Sequence, residues 1–266
     1  MDTIKVPKFE NFIKVVPLRS DSVSDSIDQI RSALKTSKVV KLVPEWHISD
    51  LRSFYDEVTE RLGLPINIAE DYAQKGAQTG ERWMEIRYDE EIPDMVAYRH
   101  SKNGQPFHTD ESYISNPCEV MVFYSVNKAL KGGATVFIDG QALVEKMKVV
   151  DPDLLTQLQG VDVPYEKAGN YRCRPIIKIE NGVPNLNYNM TCISGKASDE
   201  QKELNLRLHN FLELHAKGSY LVQEVLLNPG EGVLWWDHFV LHGRTPFEAN
   251  KSNDRLIWKT GLTLND

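Results

Sequence analysis

The chain has 266 residues, of which 41% are hydrophobic and 26% charged, and its net charge is -7. This is the composition of an ordinary globular protein with a buried core, and the acidic balance argues against a nucleic-acid-binding surface, which needs clustered basic residues. No segment approaches the ~18 consecutive apolar residues of a membrane helix, and the first residues lack the pattern of a signal peptide. The cysteines are odd in number and have no CxxC spacing, which predicts free thiols and a cytoplasmic protein.

The beginning of the chain predicts two amphipathic helices separated by a strand. Residues 25–36 carry apolar side chains at helical spacing. The segment KVVKLVP, 38–44, is typical of a buried strand. Residues 49–63 return to a helical period, with a capping residue at the start and Gly63 at the end.

From about residue 80 the period of the apolar residues changes to that of strands. RWMEIRY, EVMVFYSV and ATVFI are predicted strands, and two helical segments follow over 141–160. Strands resume with RPIIKIE and PNLNYNM, which a turn at Asn181-Gly182 joins. A helix over 199–216 begins with a serine–glutamine capping box, and YLVQEVLL, GVLWW and RLIWKTGL end the chain as strands.

Helices followed by many short strands predict a sandwich or barrel of strands with flanking helices. No segment resembles a linker, so residues 1–266 are predicted to form one domain. The segments around 70–80 and 164–174 are polar and contain glycine. Both are predicted loops, and either is a candidate for a lid over a site.

The stretch FHTDESY contains a histidine and an aspartate two positions apart, His108 and Asp110. In a strand such residues point to the same face, and an imidazole beside a carboxylate suits a divalent iron, manganese or zinc ion. The pair alone is also common among solvated polar residues. WWDHFVLHGRTPF offers a third ligand, since His238 and His242 follow an apolar strand. The remaining histidines are better explained as helix-surface, capping or loop residues: His47, His100, His209 and His215.

Four motifs occur in a fixed order along the chain: HTD, GGATVF, LHGRTPF and DRLIWK. Together they resemble the TauD/TfdA family of iron(II)- and 2-oxoglutarate-dependent dioxygenases. The resemblance runs from the helix–strand–helix of residues 25–63 to the C-terminus. It implies a mainly β protein, a double-stranded β-helix (jelly roll) with flanking α-helices. It also implies a metal held by the facial triad HxD/E…H, which leaves three positions open for 2-oxoglutarate and oxygen.

Carried over to this sequence, the resemblance makes His108, Asp110 and His242 the metal ligands and the catalytic residues. His242 is preferred to His238 because Gly243-Arg244 follows it, as in the family motif. The run from Asp237 to His242 is one residue shorter than the family usually has. The implied cofactors are Fe(II) and 2-oxoglutarate.

The cosubstrate has a remote carboxylate, which a planar guanidinium binds best because its fork matches both oxygens. The resemblance assigns this role to Arg255 on the last strand and adds the hydroxyl of Thr135, which follows the Gly-Gly pair of KGGATVF. The alternative is an Arg in a surface salt bridge and a Thr chosen for its strand propensity.

The resemblance implies that the enzyme hydroxylates an unactivated C–H bond while 2-oxoglutarate becomes succinate and carbon dioxide. Halogenating relatives replace the carboxylate ligand with a small residue, so the presence of Asp110 favours hydroxylation. Desaturation and ring formation stay open. The expected partners are a small-molecule substrate and O2, with neither nucleic acid nor a membrane.

The stretch AYRHSKNGQPFHTDESY is similar to a branch of the family that acts on free amino acids, including lysine. In that branch an acidic residue after the ligand motif meets the substrate amine, which suggests Glu111. Asn187 and Asn189 alternate along a strand and are candidates for one wall of the substrate site. One of the neighbouring tryptophans is expected to face inward, Trp236 or Trp235, and Lys259 lies on the same strand face as Arg255. The candidates for a substrate carboxylate are Arg82, Arg172 and Arg174.

Three alternatives remain open from the sequence. In the first the dioxygenase acts on a small sulfonate or carboxylate, and in the second on a natural-product intermediate. The third is a non-oxidative cupin-like metal-binding protein, which would use HxD…H but has no need for Thr135 and Arg255. A catalytically inactive binding module is disfavoured because the ligand motif is intact.

Overall fold

The structure is a computed structural model, and it describes residues 7–20, 22–68, 70–71, 77–92 and 98–265. The α-helices are α1 (Val23–Thr36), α2 (Leu51–Leu62), α3 (Gly140–Val150), α4 (Pro152–Gly160) and α5 (Asp199–Phe211). A π-helical turn, Leu212–Ala216, extends α5. No helix in these ranges is long and apolar enough to cross a membrane.

The strands run along the whole described chain. In order they are β1 (Asn11–Leu18), β2 (Ser37–Pro44), β3 (Gly63–Ile66), β4 (Glu70–Asp71), β5 (Ala77–Gln78), β6 (Met84–Arg87), β7 (Gln105–His108), β8 (Val120–Asn127), β9 (Lys131–Gly132), β10 (Thr135–Asp139), β11 (Asp162–Lys167), β12 (Asn170–Pro175), β13 (Ile177–Glu180), β14 (Val183–Leu186), β15 (Val222–Val225), β16 (Gly232–Trp236), β17 (Val240–Arg244), β18 (Phe247–Glu248) and β19 (Leu256–Leu264).

Two sheets form the jelly roll. The larger has the order β1-β2-β16-β8-β19-β3, with β6 also pairing with β19, and the smaller has the order β15-β10-β17-β7. Strands distant in sequence are neighbours in both sheets, as in a double-stranded β-helix. The predicted fold class, mainly β with flanking helices, is therefore confirmed.

Alternation along the strands divides each sheet into an inner and an outer face. Phe123 from the larger sheet and Phe137 from the smaller meet Trp235 in the interior, with ring centroids 4.7 and 5.5 Å from that of Trp235. The outer face of the larger sheet packs against α1 and α2, and that of the smaller sheet against α3, α4 and α5. Both sheets are therefore buried on two faces, and the interior between them is left for the site.

Several local predictions agree with the structure. The capping box at the start of α5 is present, with Ser198 and Gln201 bonded reciprocally. The Asn181-Gly182 turn joins β13 and β14, with φ of 51° and 81°. Gly218, with φ of 72°, follows the helical segment that began at α5.

The prediction of a loop over 164–174 is wrong. Strands β11 and β12 form a regular antiparallel hairpin there, closed by Ala168 and Gly169 with φ of 49° and 81°. The other predicted loop, 70–80, includes residues 72–76, which lie outside the described residues. The single-domain assignment stays a prediction.

Candidate metal centre and cosubstrate pocket

Two histidines face each other on neighbouring strands of the smaller sheet. His108 ends β7 and is directly opposite His242 on β17. Their neighbours Phe107 and Leu241 point to the helix-covered outer face, so alternation turns both imidazoles inward. The two ring centroids are 4.2 Å apart.

Asp110 lies just after β7, in a turn that returns its carboxylate to the two imidazoles. Its Oδ2 is 3.5 Å from His242 Nε2 and its Oδ1 is 3.8 Å from His108 Nε2. One candidate ligand atom from each of these three residues lies within 4.8 Å of the other two. Cross-strand pairing and one turn are therefore sufficient to assemble the triad.

The hydrogen bonds of His108 fix its tautomer. Its Nδ1 lies 2.8 Å from the Pro106 carbonyl, which only accepts, so Nδ1 carries the proton and donates. Its Nε2 is then a lone pair, which Gln105 Nε2 approaches at 3.2 Å. Burial lowers the pKa of His108 to about 4, and the neighbouring His242 ring adds to this effect. The imidazole is neutral at pH 7, which is the form that binds a metal ion.

His242 has the carboxyl group of Asp237 on its far side. Burial lowers its pKa to about 4. The ring nitrogen that points away from Asp110, Nδ1, lies 3.4 Å from Asp237 Oδ1, without hydrogen-bond geometry in this structure. Trp235 Nε1 donates to the same oxygen at 3.0 Å and holds it in place. A carboxylate behind a ligating histidine is the usual way in which proteins orient such a ring.

The two oxygens of Asp110 have different surroundings. Oδ1 is 2.6 Å from Lys259 Nζ, whereas Oδ2 is buried and accepts no hydrogen bond from the described residues. Burial alone would raise the pKa of Asp110, but Lys259 and the two imidazoles outweigh it and hold the pKa below its usual range. Two neutral imidazoles and one unsatisfied carboxylate oxygen thus converge, and this donor set fits Fe(II).

A second set of polar groups lies between β10 and the start of β19. Arg255 is buried, its Nε donates to the Gly133 carbonyl at 3.3 Å, and its Nη1 has no hydrogen-bond partner among the described residues. Thr135 lines the same small cavity. Burial lowers the pKa of Arg255. A buried guanidinium with an unused donor fits the remote carboxylate of 2-oxoglutarate.

The Gly-Gly pair is needed for this cavity. Gly133 has φ of 75°, a conformation that favours glycine. A Cβ at this position would lie 3.0 Å from Arg255 Nε, closer than an ordinary contact, so the Arg255 side chain would have to shift by a few tenths of an ångström. The motif GGATVF therefore combines a left-handed turn with close approach of the backbone to Arg255.

The sequence profile of the family described as Taurine catabolism dioxygenase TauD, TfdA family matches residues 11–260. The chain belongs to this family. TauD/TfdA proteins are iron(II)- and 2-oxoglutarate-dependent dioxygenases, and the predicted cofactors, Fe(II) and 2-oxoglutarate, are those of the family.

Two solved structures share the fold. A taurine dioxygenase from Burkholderia xenovorans is 16% identical with a TM-score of 0.65, over 97% of this chain and 90% of that one. An asparagine oxygenase, solved in complex with Fe(II), 2S,3S-3-hydroxyasparagine and succinate, is 11% identical with a TM-score of 0.64, over 91% of this chain and 77% of that one. At these identities the similarity shows the fold alone.

The dioxygenase str8 of Strobilurus tenacellus is a sequence relative. It is 26% identical over 170 residues, which make up 59% of this chain. The match spans 40% of the length of that relative, which is therefore covered by less than half.

Trp236 does not reach the interior, and its prediction as a substrate contact is wrong. Its indole Nε1 donates to the Leu34 carbonyl of α1 at 2.9 Å, and its ring packs among the residues between the larger sheet and the helices. Trp235 is the inward residue of the pair, with its ring centroid 5.0 Å from that of His242.

Two other predicted substrate residues are engaged locally. Asn189 caps the 3-10 turn Met190–Cys192, and its Oδ1 accepts from the Thr191 amide at 3.1 Å. Glu111 has φ of 53°, and its Oε2 accepts from the Cys118 amide at 2.8 Å. The carboxylate of Glu111 is thus partly used by the backbone, and its role toward a substrate stays a prediction.

Asn187 has a different environment. It is fully buried beside Tyr188, which pairs with Thr109 between the first two triad residues. Its Oδ1 accepts from Arg172 Nη1 at 3.1 Å, and its Nδ2 has no hydrogen-bond partner in the described part of the chain. Two other arginines named as candidates bind elsewhere: Arg82 pairs with Asp56 and Glu60, and Arg174 with Asn185.

Three contacts near the triad had not been predicted: those of Gln105 and Asp237 with the imidazoles, and that of Lys259 with Asp110. Asp237 stands in WWDHF beside the histidines, so its position was a usable signal. Gln105 is three positions before His108 in the same strand. The Lys259 contact joins β19 to the turn after β7 and has no local signature in the sequence.

His238 is buried but lies outside the triad group. Burial lowers its pKa to about 4, and Arg172 and Arg174 add to this effect.

We expect His242→Ala to remove iron binding and turnover, and His238→Ala to retain both while losing stability, because of these two histidines His242 is the one that contacts Asp110. Iron titration and urea unfolding of both variants measure this, and the reverse order of effects would exchange the two roles.

Proposed function

We propose that this protein is an iron(II)- and 2-oxoglutarate-dependent hydroxylase of a small polar substrate, with His108, Asp110 and His242 as the iron ligands. The observation that carries the proposal is that one candidate ligand atom from each of these three residues lies within 4.8 Å of the other two, with the Oδ2 of Asp110 buried and without a hydrogen bond from the described residues. The pKa of each histidine is lowered to about 4. Both are therefore ready to bind a cation without first losing a proton.

We assign Arg255 and Thr135 to the remote carboxylate of 2-oxoglutarate. When bound, iron(II) would activate O2, the oxidant, and 2-oxoglutarate would supply two electrons on decarboxylation, so that one oxygen atom enters the substrate C–H bond and the other enters succinate, with release of carbon dioxide. The chain's own residues bind, orient and exclude water. The inner aromatic wall of Phe137 and Trp235 beside His242 keeps this side of the site dry.

A free amino acid is the substrate class that we propose. Arg172 and Asn187 offer donors for a carboxylate, since Asn187 Nδ2 is buried and unsatisfied. Glu111 is close enough to oppose the lowering of the Arg172 pKa, which burial brings to about 10. A cation and a carboxylate on one side of the site suit the two charges of an amino acid, and Glu111 also suits a basic side chain.

The experiment is a substrate panel with iron(II), 2-oxoglutarate and O2. It contains lysine, arginine and asparagine together with taurine, simple carboxylates and larger natural-product acids. We expect an amino acid to gain one oxygen atom by mass spectrometry, with one succinate formed for each product molecule. Preference for a sulfonate or for a compound without an ammonium group would contradict the substrate class and leave the chemistry standing.

A pair of arginine variants sharpens this test. Arg172→Leu is expected to raise the KM for the amino acid by about 10- to 100-fold, because a charged hydrogen bond contributes roughly 1.5–3 kcal/mol. Arg174→Leu is the matched control, since Arg174 lies on the same hairpin but donates to Asn185. Equal effects of the two changes would show that Arg172 only supports the hairpin.

The proposal includes a cytoplasmic location. Cys118, Cys173 and Cys192 form no disulfide among the described residues, as expected where thiols stay reduced.

A further inference from the structure

Lys259 occupies an unusual place for a lysine, inside the jelly roll. On β19 it stands opposite Phe123 of β8, on the same face as Ile257, which belongs to the core between the sheets. Its side chain is 10% exposed, and its Nζ is 2.6 Å from Asp110 Oδ1. Burying an ammonium is costly unless it is paired, so the contact is a built feature of the site.

The contact with Lys259 gives the two carboxylate oxygens of Asp110 different partners. Oδ1 is taken by the ammonium, whereas Oδ2 is buried, accepts no hydrogen bond from the described residues and faces His242 Nε2. A cation that bound both oxygens would come next to the ammonium of Lys259. The metal cation and the ammonium are like charges, and they repel strongly when they are adjacent in a buried site. This repulsion directs the metal cation to Oδ2.

We infer that Lys259 is a positioning residue that makes Asp110 a one-oxygen ligand and thereby keeps a coordination position open for 2-oxoglutarate. This inference rests on the proposed function. Three protein donors leave three positions for the cosubstrate and oxygen, and a second oxygen from Asp110 would occupy one of them. The role is exerted through Asp110 and requires no contact between Lys259 and the substrate.

The test compares Lys259→Met and Lys259→Arg with the wild-type protein under anaerobic conditions and without substrate. Iron(II) affinity is measured by titration calorimetry, and 2-oxoglutarate affinity by the visible charge-transfer band that forms when it chelates the iron. For Lys259→Met we expect iron(II) binding to be retained, because the freed Oδ1 can bind the metal as well, and the 2-oxoglutarate Kd to rise by at least about 10-fold, because this second oxygen takes a position that the cosubstrate needs. Lys259→Arg keeps the cation and should restore wild-type binding.

Lys38→Met is the matched control. Lys38 is another buried lysine, with its Nζ 2.7 Å from Asp139 Oδ1, and this pair belongs to neither the triad nor the cosubstrate pocket. The control should lower stability and leave the 2-oxoglutarate Kd unchanged. An equal loss of 2-oxoglutarate binding in the control would reduce Lys259 to a structural residue and overturn the inference.

Other outcomes are equally decisive. An unchanged 2-oxoglutarate Kd in folded Lys259→Met would overturn the inference, and so would an effect confined to the KM of the substrate, which would make Lys259 a substrate anchor. Absence of the band in wild-type protein would instead refute the proposed function. If Lys259→Met does not fold, a crystal structure of the iron-loaded wild type decides: Lys259 on Oδ1 with the metal on Oδ2 supports the inference, and a metal bound by both oxygens overturns it.

Discussion

Asp110→Ala is expected to abolish iron(II) binding and turnover while leaving a folded protein. Asp110 supplies the only negative charge of the triad, and its Oδ2 is the buried acceptor that faces His242. Removal of a residue that merely orients a metal ligand lowers the metal affinity by about 10- to 100-fold. Loss of the ligand itself should therefore raise the iron(II) Kd by more than about 100-fold. Calorimetry with Fe(II) in the absence of oxygen measures this directly.

Two further variants make the result interpretable. His108→Ala should have the same effect, because His108 offers the neutral Nε2 fixed by Pro106. His209→Ala is the control, since His209 lies on α5, outside the triad group. Circular dichroism verifies the fold of each protein. Full hydroxylase activity in Asp110→Ala would show that the triad assignment is wrong.

Arg255→Leu is expected to raise the Kd of 2-oxoglutarate by about 100-fold and to leave iron(II) binding unchanged. The guanidinium is buried, and its Nη1 has no hydrogen-bond partner in the described chain. A charged hydrogen bond contributes roughly 1.5–3 kcal/mol, which corresponds to this range of affinity. Separate titrations with iron(II) and with 2-oxoglutarate distinguish the two binding events.

Two milder variants measure how much each group contributes to 2-oxoglutarate binding. Arg255→Lys keeps the charge but loses the planar fork, so we expect partial loss. Thr135→Val removes one neutral hydrogen bond and should cost about 1 kcal/mol. A cupin-like metalloprotein has no use for Arg255, and undiminished activity in Arg255→Leu would therefore favour that reading over the dioxygenase.

Local patterns predicted His108 and Asp110 on one face and a sandwich or barrel of strands with flanking helices, whereas the complete triad and the jelly roll were implied by the resemblance to the TauD/TfdA family. Phe107 and His108 alternate between the outer and inner faces of one strand, and the capping box of α5 is written in consecutive residues. Spacing alone did not distinguish His242 from His238 as the third ligand. The family motif, in which Gly-Arg follows the histidine, favoured His242. The structure brings His242 and not His238 to Asp110.

The two tryptophans show where the pattern gives no answer. Every residue of GVLWW is buried, because helices cover the outer face of the sheet and the smaller sheet covers the inner face. A strand buried on both faces has no polar–apolar alternation. The sequence therefore could not indicate that Trp235 faces His242 and Trp236 faces α1.

The contact between Lys259 and Asp110 could not be predicted for a different reason. It joins the last strand to a turn much earlier in the chain, and its geometry depends on the pairing of β19 with β8. Glu111 illustrates the same limit, because its left-handed backbone turns the carboxylate toward the Cys118 amide. The hairpin β11–β12 was missed because polar and charged residues, Asn170, Arg172 and Arg174, alternate along β12 and because Gly169 indicates a turn.

One measurement tests the central claim most directly: apo protein receives iron(II) and then 2-oxoglutarate in the absence of oxygen, and visible absorption is recorded. The account predicts a weak charge-transfer band that requires both additions, that shifts when an amino acid substrate is added, and that is absent from Asp110→Ala. Well-loaded iron without a band on addition of 2-oxoglutarate would contradict the dioxygenase assignment and favour a metal site without oxidative chemistry.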